Sequence, residues 1–388
     1  MRFTSVFFVI GPLLEALAPN LPVLSIGRFL SGIGAGAAIV VVPVYISEVA
    51  PQQGKGLFGA LTQVMINVGI LFTQALGYFL SKGELWRLVL AIGGAIGLAQ
   101  ILGLIAVPET PQYLGTHGKP QKARRALQKI RGRDAEIESE VQAWSGATNI
   151  SELPEEEETL LQQSSSSSSP TKSRSIGVFE ILRLPLYRPT LIAVIGVMLA
   201  QQLCGINSIV MYSVSLLSHL FPTTSALLTV VVSAINLFTT ILFAPLADRL
   251  GRKRCLLLSI LGRGSMAFCL ACSIYFSLPV VSAIAVLLFV ASFAVGLGPV
   301  PFILASELVG SEAVGATQSW ALVANWTATF LVAQFFPELN RIMGKGKVYF
   351  VFAALAAFFF SFVWWWVPET KGKRDADEVW GREPARID

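Results

Sequence analysis

Charge is scarce in this chain. Only 14% of its 388 residues are Asp, Glu, Lys or Arg, where a soluble globular domain carries about 25%. With 54% hydrophobic residues and a mean hydropathy of +0.65, that shortage excludes a soluble domain and indicates a membrane protein. Histidine is nearly missing. His117 and His219 are too few and too far apart for a metal centre or a catalytic triad. Cys204, Cys255, Cys269 and Cys272 lie in or beside apolar segments, at spacings that suit neither a disulfide framework nor a metal site. The chain has no Gly-Lys-Ser phosphate loop, which excludes an ATP-driven pump of that type. No catalytic constellation is present, so no enzyme and no cofactor are expected. The short alternating strands of a closed β-barrel are also lacking. The net charge of +5 fits cytoplasmic loop charge rather than a nucleic-acid surface.

Long apolar runs are abundant. A span needs about 17–25 residues, and ten segments qualify, roughly 3–20, 22–46, 56–80, 86–107, 189–217, 224–247, 254–276, 279–305, 313–337 and 347–367. The fold class predicted is an all-α polytopic membrane protein. Met1-Arg2 and the apolar run to Ala18 mimic a cleaved signal peptide, but the internal repeat described below assigns that segment to a full span.

Four regions follow: an N-terminal bundle of four helices over 1–107, a linker over 108–188, a six-helix bundle over 189–367 and a tail over 368–388. In the linker, Lys122, Arg124, Arg125 and Lys129 interleave with Ala126, Leu127 and Ile130. That pattern predicts short amphipathic helices on the membrane surface. The glutamates of 155–158 and the serines of 164–169 cannot bury a core and predict disorder. The linker, the loop with Arg249, Arg252, Lys253 and Arg254, and the tail with Lys371, Lys373 and Arg374 fall on one side by span counting. The positive-inside rule makes that side cytoplasmic, with both termini there. Asn149-Ile150-Ser151 and Asn325-Trp326-Thr327 fit the glycosylation pattern. The first is expected in the cytoplasm and the second inside a helix, so neither is expected to be used.

The chain repeats itself. Val107-Pro108-Glu109-Thr110 recurs as Val367-Pro368-Glu369-Thr370, and Ser47-Glu48-Val49 as Ser306-Glu307-Leu308. The offsets agree, 367 − 107 = 260 and 306 − 47 = 259. Parallel repeats occur in transporters, with the substrate site near the midplane between the halves. The second half has four spans ahead of its Ser-Glu and the first half has two, so the repeat predicts two further helices that are absent ahead of Met1.

One stretch breaks the apolar pattern: Gln201-Gln202-Leu203-Cys204-Gly205-Ile206-Asn207-Ser208, inside a long apolar run. Unpaired polar groups in hydrocarbon cost about 2–7 kcal/mol each. Amides offer donors and acceptors without charge, which suits a neutral, hydroxyl-rich ligand. They could equally tie one helix to its neighbours.

Taken together, these motifs resemble the sugar porter family of the major facilitator superfamily. The resemblance rests on Gly27-Arg28-Phe29, on the run from Pro43 through Ser47-Glu48 to Pro51 and on Pro108-Glu109-Thr110-Pro111. It rests further on Gln201 to Asn207, Asp248-Arg249-Leu250-Gly251-Arg252-Lys253, Gly298-Pro299, Asn325-Trp326-Thr327 and Pro368-Glu369-Thr370. It covers nearly the whole chain, from the family's third helix to its twelfth. It implies sugar contacts at Gln63, Gln201, Gln202, Asn207, Asn236, Asn325 and Trp326. It also implies a cytoplasmic latch of Glu48, Lys55, Asp248, Arg249, Arg252 and Glu307.

The chain departs from the family pattern at several positions. Ala294 stands where the family usually has Glu, Phe302 where it has Trp, and Thr329 where it has Asn. Val314 replaces the expected Arg partner of Glu307, so a weaker latch is expected. The function implied is secondary transport of a sugar, a hexose or related polyol, by alternating access. The alternative is a truncated, non-transporting protein of the same type. A small-molecule sugar and the lipid bilayer are the partners implied. Nucleic acid and an obligate protein partner are not. Proton coupling is left open, as is the choice between the plasma membrane and a vacuole-like membrane.

Overall fold

A computed structural model describes residues 2–50, 55–116, 119–132, 176–218, 225–310, 312–344, 346–373 and 376–381. The expected disorder over 155–158 and 164–169 falls outside the described residues. Among those residues every regular element is a helix or a helical turn. The helices are α1 (Arg2–Leu17), α2 (Leu21–Val49), α3 (Lys55–Leu80), α4 (Trp86–Ala106), α5 (Pro111–Thr116) and α6 (Pro120–Arg131). Next come α7 (Glu180–Arg183), still within the linker, and then α8 (Arg188–Leu203), α9 (Ile206–Ser218), α10 (Ser225–Phe243), α11 (Leu246–Leu250) and α12 (Arg252–Tyr275). The chain continues through α13 (Pro279–Val295), α14 (Val300–Glu307), α15 (Val314–Met343), α16 (Val348–Trp366) and α17 (Ala376–Val379).

Eight segments are long and apolar enough to cross a membrane, among the described residues. The protein is a multi-pass membrane protein. Two of the ten expected spans look different. The first, α1, is a shorter apolar helix of 16 residues. The ninth, α15, is 30 residues long but carries Gln318, Asn325, Thr327, Thr329 and Gln334, which dilute its apolar character.

The chain divides into two units. One comprises residues 1–59, 80–172 and 386–388, the other 60–79 and 173–385. Most of α3 therefore groups with the second unit.

In the first unit α1 packs against α2 and α4. Small residues permit close approach, as is common between membrane helices. A Cβ on Gly97 would lie 2.4 Å from the Phe8 carbonyl oxygen. Glu15 is buried on α1 and is held by Arg28 at 3.1 Å and the Ser31 hydroxyl at 2.7 Å. Arg87 donates to the carbonyls of Ala16 and Ala18 at 3.0 and 2.8 Å, capping the end of α1. On α6 the apolar residues Ala123, Ala126 and Leu127 are buried in the protein. This helix therefore turns its apolar side to protein, where the sequence pattern suggested the membrane surface. The chain supplies a closer apolar partner than lipid.

The second unit has one large core. In it α12 packs against α13 and α16, and α8 against α15. The core includes Val197, Ile260, Phe289, Tyr349 and Phe352. The opposite side of α12 exposes Leu258, Leu261 and Phe268, the apolar surface expected toward lipid.

Two expected spans are interrupted, which the apolar runs did not reveal. The segment 189–217 breaks between α8 and α9, where Gly205 has φ +92°. A side chain there would be strained and would meet the Phe352 ring at 2.6 Å. The segment 279–305 breaks between α13 and α14, at 296–299. A Cβ on Gly296 would sit 2.2 Å from the Cys255 carbonyl oxygen. Pro299 and Pro301 supply no N–H to continue the helical ladder.

Candidate functional site

The two breaks release backbone carbonyls, and side-chain amides collect them. The N–H that would normally bond the Leu297 carbonyl belongs to residue 301, which is proline. The Gln201 Nε2 takes that place, donating to the Leu297 oxygen at 2.6 Å and to the Gly298 oxygen at 3.2 Å. Gln201 is 3% exposed. Its Oε1 accepts from the Asn325 Nδ2 and from the Gln202 Nε2 at 3.4 Å. All the bonding capacity of the Gln201 amide is therefore committed within the protein.

Gln202 and Asn207 are different. Both are only half-buried. The Gln202 Nε2 also donates to the Asn325 Oδ1 at 3.2 Å. The Asn207 Nδ2 donates to the Gln202 Oε1 at 2.7 Å, across the break. Asn325 is buried and its own carbonyl accepts from the Thr329 hydroxyl at 2.9 Å. The result is a continuous uncharged network, Gln201–Asn325–Gln202–Asn207, that ends in two accessible amides. Four of the sequence-predicted residues come together here, drawn from α8, α9 and α15.

A second network uses α3 and α10. Asn67 is buried. Its Oδ1 accepts from Gln63 at 3.3 Å and from Asn236 at 3.4 Å, and its Nδ2 donates to the Thr240 hydroxyl at 2.8 Å. The Asn236 Oδ1 is buried without a partner among the described residues, which leaves it an acceptor for an incoming hydroxyl. Lower on the same helices, Ser233 donates to Gln74 at 2.7 Å. Trp326 joins neither network. It is 49% exposed and shares no hydrogen bond with them among the described residues.

The family resemblance does not point to Asn67. It lies one helical turn after Gln63, on the same face, and that spacing was the available signal. Arg263, an arginine inside an apolar span, carried an equally readable signal.

Of the residues expected to form a latch, Arg252 and Glu307 meet, at the ends of α12 and α14. The Arg252 guanidinium meets Glu307, with Nη2 to Oε1 at 2.8 Å and Nε to Oε2 at 3.1 Å. The Thr370 hydroxyl donates to Glu307 at 2.5 Å. Glu369 accepts the Arg252 backbone N–H at 2.8 Å, capping α12. Gly251 stands at φ +100°, and a Cβ there would lie 2.5 Å from the Glu369 Oε2. Glu307 is therefore not short of a cationic partner, as the valine at position 314 suggested. Arg252 supplies the charge from another helix. Arg249 contributes its carbonyl, which accepts from Lys371. The side chains of Glu48, Lys55 and Asp248 lie outside the described residues.

The chain as a whole is similar to known proteins in sequence and fold. A family model described as sugar (and other) transporter matches residues 1–378. The chain belongs to that family. It is 34% identical over 355 residues to a probable metabolite transport protein of Saccharomyces cerevisiae, covering 91% of this chain and 70% of that one. It is 30% identical over 386 residues to a facilitated trehalose transporter Tret1-2 homolog of Drosophila sechellia, covering 95% and 73%. Among solved structures it is similar to the xylose transporter XylE of E. coli in a partially occluded inward-open conformation. That match has a TM-score of 0.75 and 26% identity, over 96% of this chain and 81% of that one. The fold is the major facilitator fold of these sugar porters. A sugar transporter family member is a transporter and not an enzyme.

Proposed function

We propose that this protein carries a neutral sugar, a hexose or related polyol, across a membrane by alternating access. The observation that carries this reading is the uncharged amide network at the α8–α9 break. Gln202 and Asn207 bond to each other and to Asn325, yet remain half-buried. A sugar hydroxyl, both donor and acceptor, can replace one amide in such a chain without leaving a charge or an orphan group. Gln63 and Asn236, through Asn67 and Thr240, offer a second set of the same chemistry. The Trp326 indole would cover an apolar ring face.

In this reading the Arg252–Glu307 pair, closed by Thr370 and Glu369, is the cytoplasmic latch. The pair is partly exposed, at 15% and 28%, so it contributes modestly and suits a two-state gate. The cytoplasmic side then holds the linker and both termini, and a plasma or vacuole-like membrane is the setting.

The test is uptake of radiolabelled hexoses by liposomes that hold the purified chain, with and without a pH gradient. Saturable uptake, inhibited by unlabelled hexose, is expected. Uptake no greater than in empty liposomes would refute the transport reading.

A further inference from the structure

Among the described residues Arg263 is the largest fully buried side chain, with 0% exposure, and it lies in the middle of a membrane-spanning helix. It pairs with no carboxylate among the described residues. The Phe289 and Phe293 rings lie 4.9 and 5.4 Å from its guanidinium carbon. Its Nε and Nη2 are buried without hydrogen-bond partners among the described residues. A charge inside a span is among the costliest placements a membrane protein makes, and such residues mark functional positions.

Its remaining nitrogen has one target. The Nη1 donates to the Gln201 carbonyl at 3.1 Å. That carbonyl is an orphan of the α8–α9 break. The N–H that would bond it belongs to Gly205, which turns instead to the Gln202 oxygen at 2.9 Å. Four residues before Arg263, on the same face of α12, Ser259 serves the other break. Its hydroxyl accepts the Leu297 N–H at 3.1 Å and donates to the Ser292 oxygen at 2.7 Å. The Gln201 side chain then closes a ring by donating to the Leu297 oxygen. One face of α12 thus holds both broken helices. A cationic donor bonds a carbonyl more strongly than a neutral one, the more so at low dielectric.

We propose that Arg263 is a positioning residue that fixes the Gln201 peptide at the α8–α9 break and, through it, the Gln202–Asn325–Asn207 amides that bind sugar. The sugar-binding half of this inference rests on the function proposed above.

The first arm of the test needs no sugar. Cys204 adjoins the break and is buried, as is Cys255 on α12. Arg263→Met in the full chain, treated with N-ethylmaleimide and read by peptide mass spectrometry, should label Cys204 about ten- to a hundredfold faster. Cys255 should stay protected. Arg263→Lys, which keeps one charged donor, should restore much of the protection. Unchanged Cys204 labelling would overturn the proposal. So would equal exposure of Cys204 and Cys255, because it would assign Arg263 to bulk stability.

The second arm measures hexose affinity in a double-mutant cycle of Arg263→Met with Gln202→Ala. If Arg263 acts through the amides, the double variant should lose less affinity than the product of the single losses, by about threefold or more. Independent effects would overturn the positioning of the sugar-binding amides. A wild-type chain that binds no hexose would refute the proposed function, while the cysteine arm would still decide whether Arg263 holds the break.

Discussion

Replacing Gln201 with leucine isolates what its amide does. The substitution keeps volume and removes every polar atom. The Leu297 carbonyl, orphaned by Pro301, loses its donor at 2.6 Å. The Asn325 Nδ2 loses its acceptor and retains only the Met198 sulfur at 3.6 Å. Two buried groups left unpaired cost about 1–3 kcal/mol each. Burial of the leucine offsets part of this, leaving a net loss of about 2–4 kcal/mol. For a unit of this size that corresponds to a fall in Tm of about 5–15 °C. The assay is thermal unfolding of the purified protein in detergent, followed by tryptophan fluorescence. Pro301→Ala provides the decisive control. Alanine restores an N–H where the helical ladder would place the donor to Leu297. On its own it should be near neutral, since Gln201 already occupies that oxygen. Combined with Gln201→Leu it should recover about 1 kcal/mol. Purely additive effects of the two substitutions would refute the claim that Gln201 replaces the missing backbone donor.

Two further outcomes follow from the same geometry. Gly251→Ala should destabilise the protein by about 2–3 kcal/mol, through strain at φ +100° and displacement of Glu369 from the α12 cap. Glu369→Ala should make that substitution less harmful by the share due to the displaced cap, about 1 kcal/mol, with the strain at φ +100° remaining, and a cycle of thermal stabilities without such coupling would contradict this account of the cap. Asn67→Leu removes the partners of Gln63, Asn236 and Thr240 and should lower stability by about 2–4 kcal/mol. Its effect should overlap strongly with that of Asn236→Leu, whereas additivity in denaturation would separate the two residues.

Much of the fold was legible because apolar runs of span length need no tertiary information. The residues of both helix breaks were visible, but the breaks themselves were not. Composition reads straight through Gln201 to Ser208, and only the backbone at Gly205 shows that the helix stops there. The reason the break is tolerated lies elsewhere in the chain. Leu297 is 96 residues from the Gln201 that bonds it, and Arg263 lies on another helix again. The amides were found by residue type, yet type alone could not divide them. Gln201 is wholly committed within the protein, to two backbone carbonyls and two side-chain amides, while Gln202 and Asn207 remain accessible, a difference that only the tertiary structure carries. The family pattern places the partner of Glu307 at position 314. Arg252, 55 positions away, fills that role, because tertiary packing and not sequence spacing brings charges together.

The most direct test of the site is equilibrium hexose binding to the purified chain, comparing wild type with Gln202→Ala and with Gln100→Ala. Gln100 is exposed on α4 of the other unit. Gln202→Ala should weaken binding by about two- to tenfold for each sugar hydrogen bond lost, and Gln100→Ala should leave it unchanged. Equal affinities for all three proteins would contradict the assignment of the amide network as the sugar site.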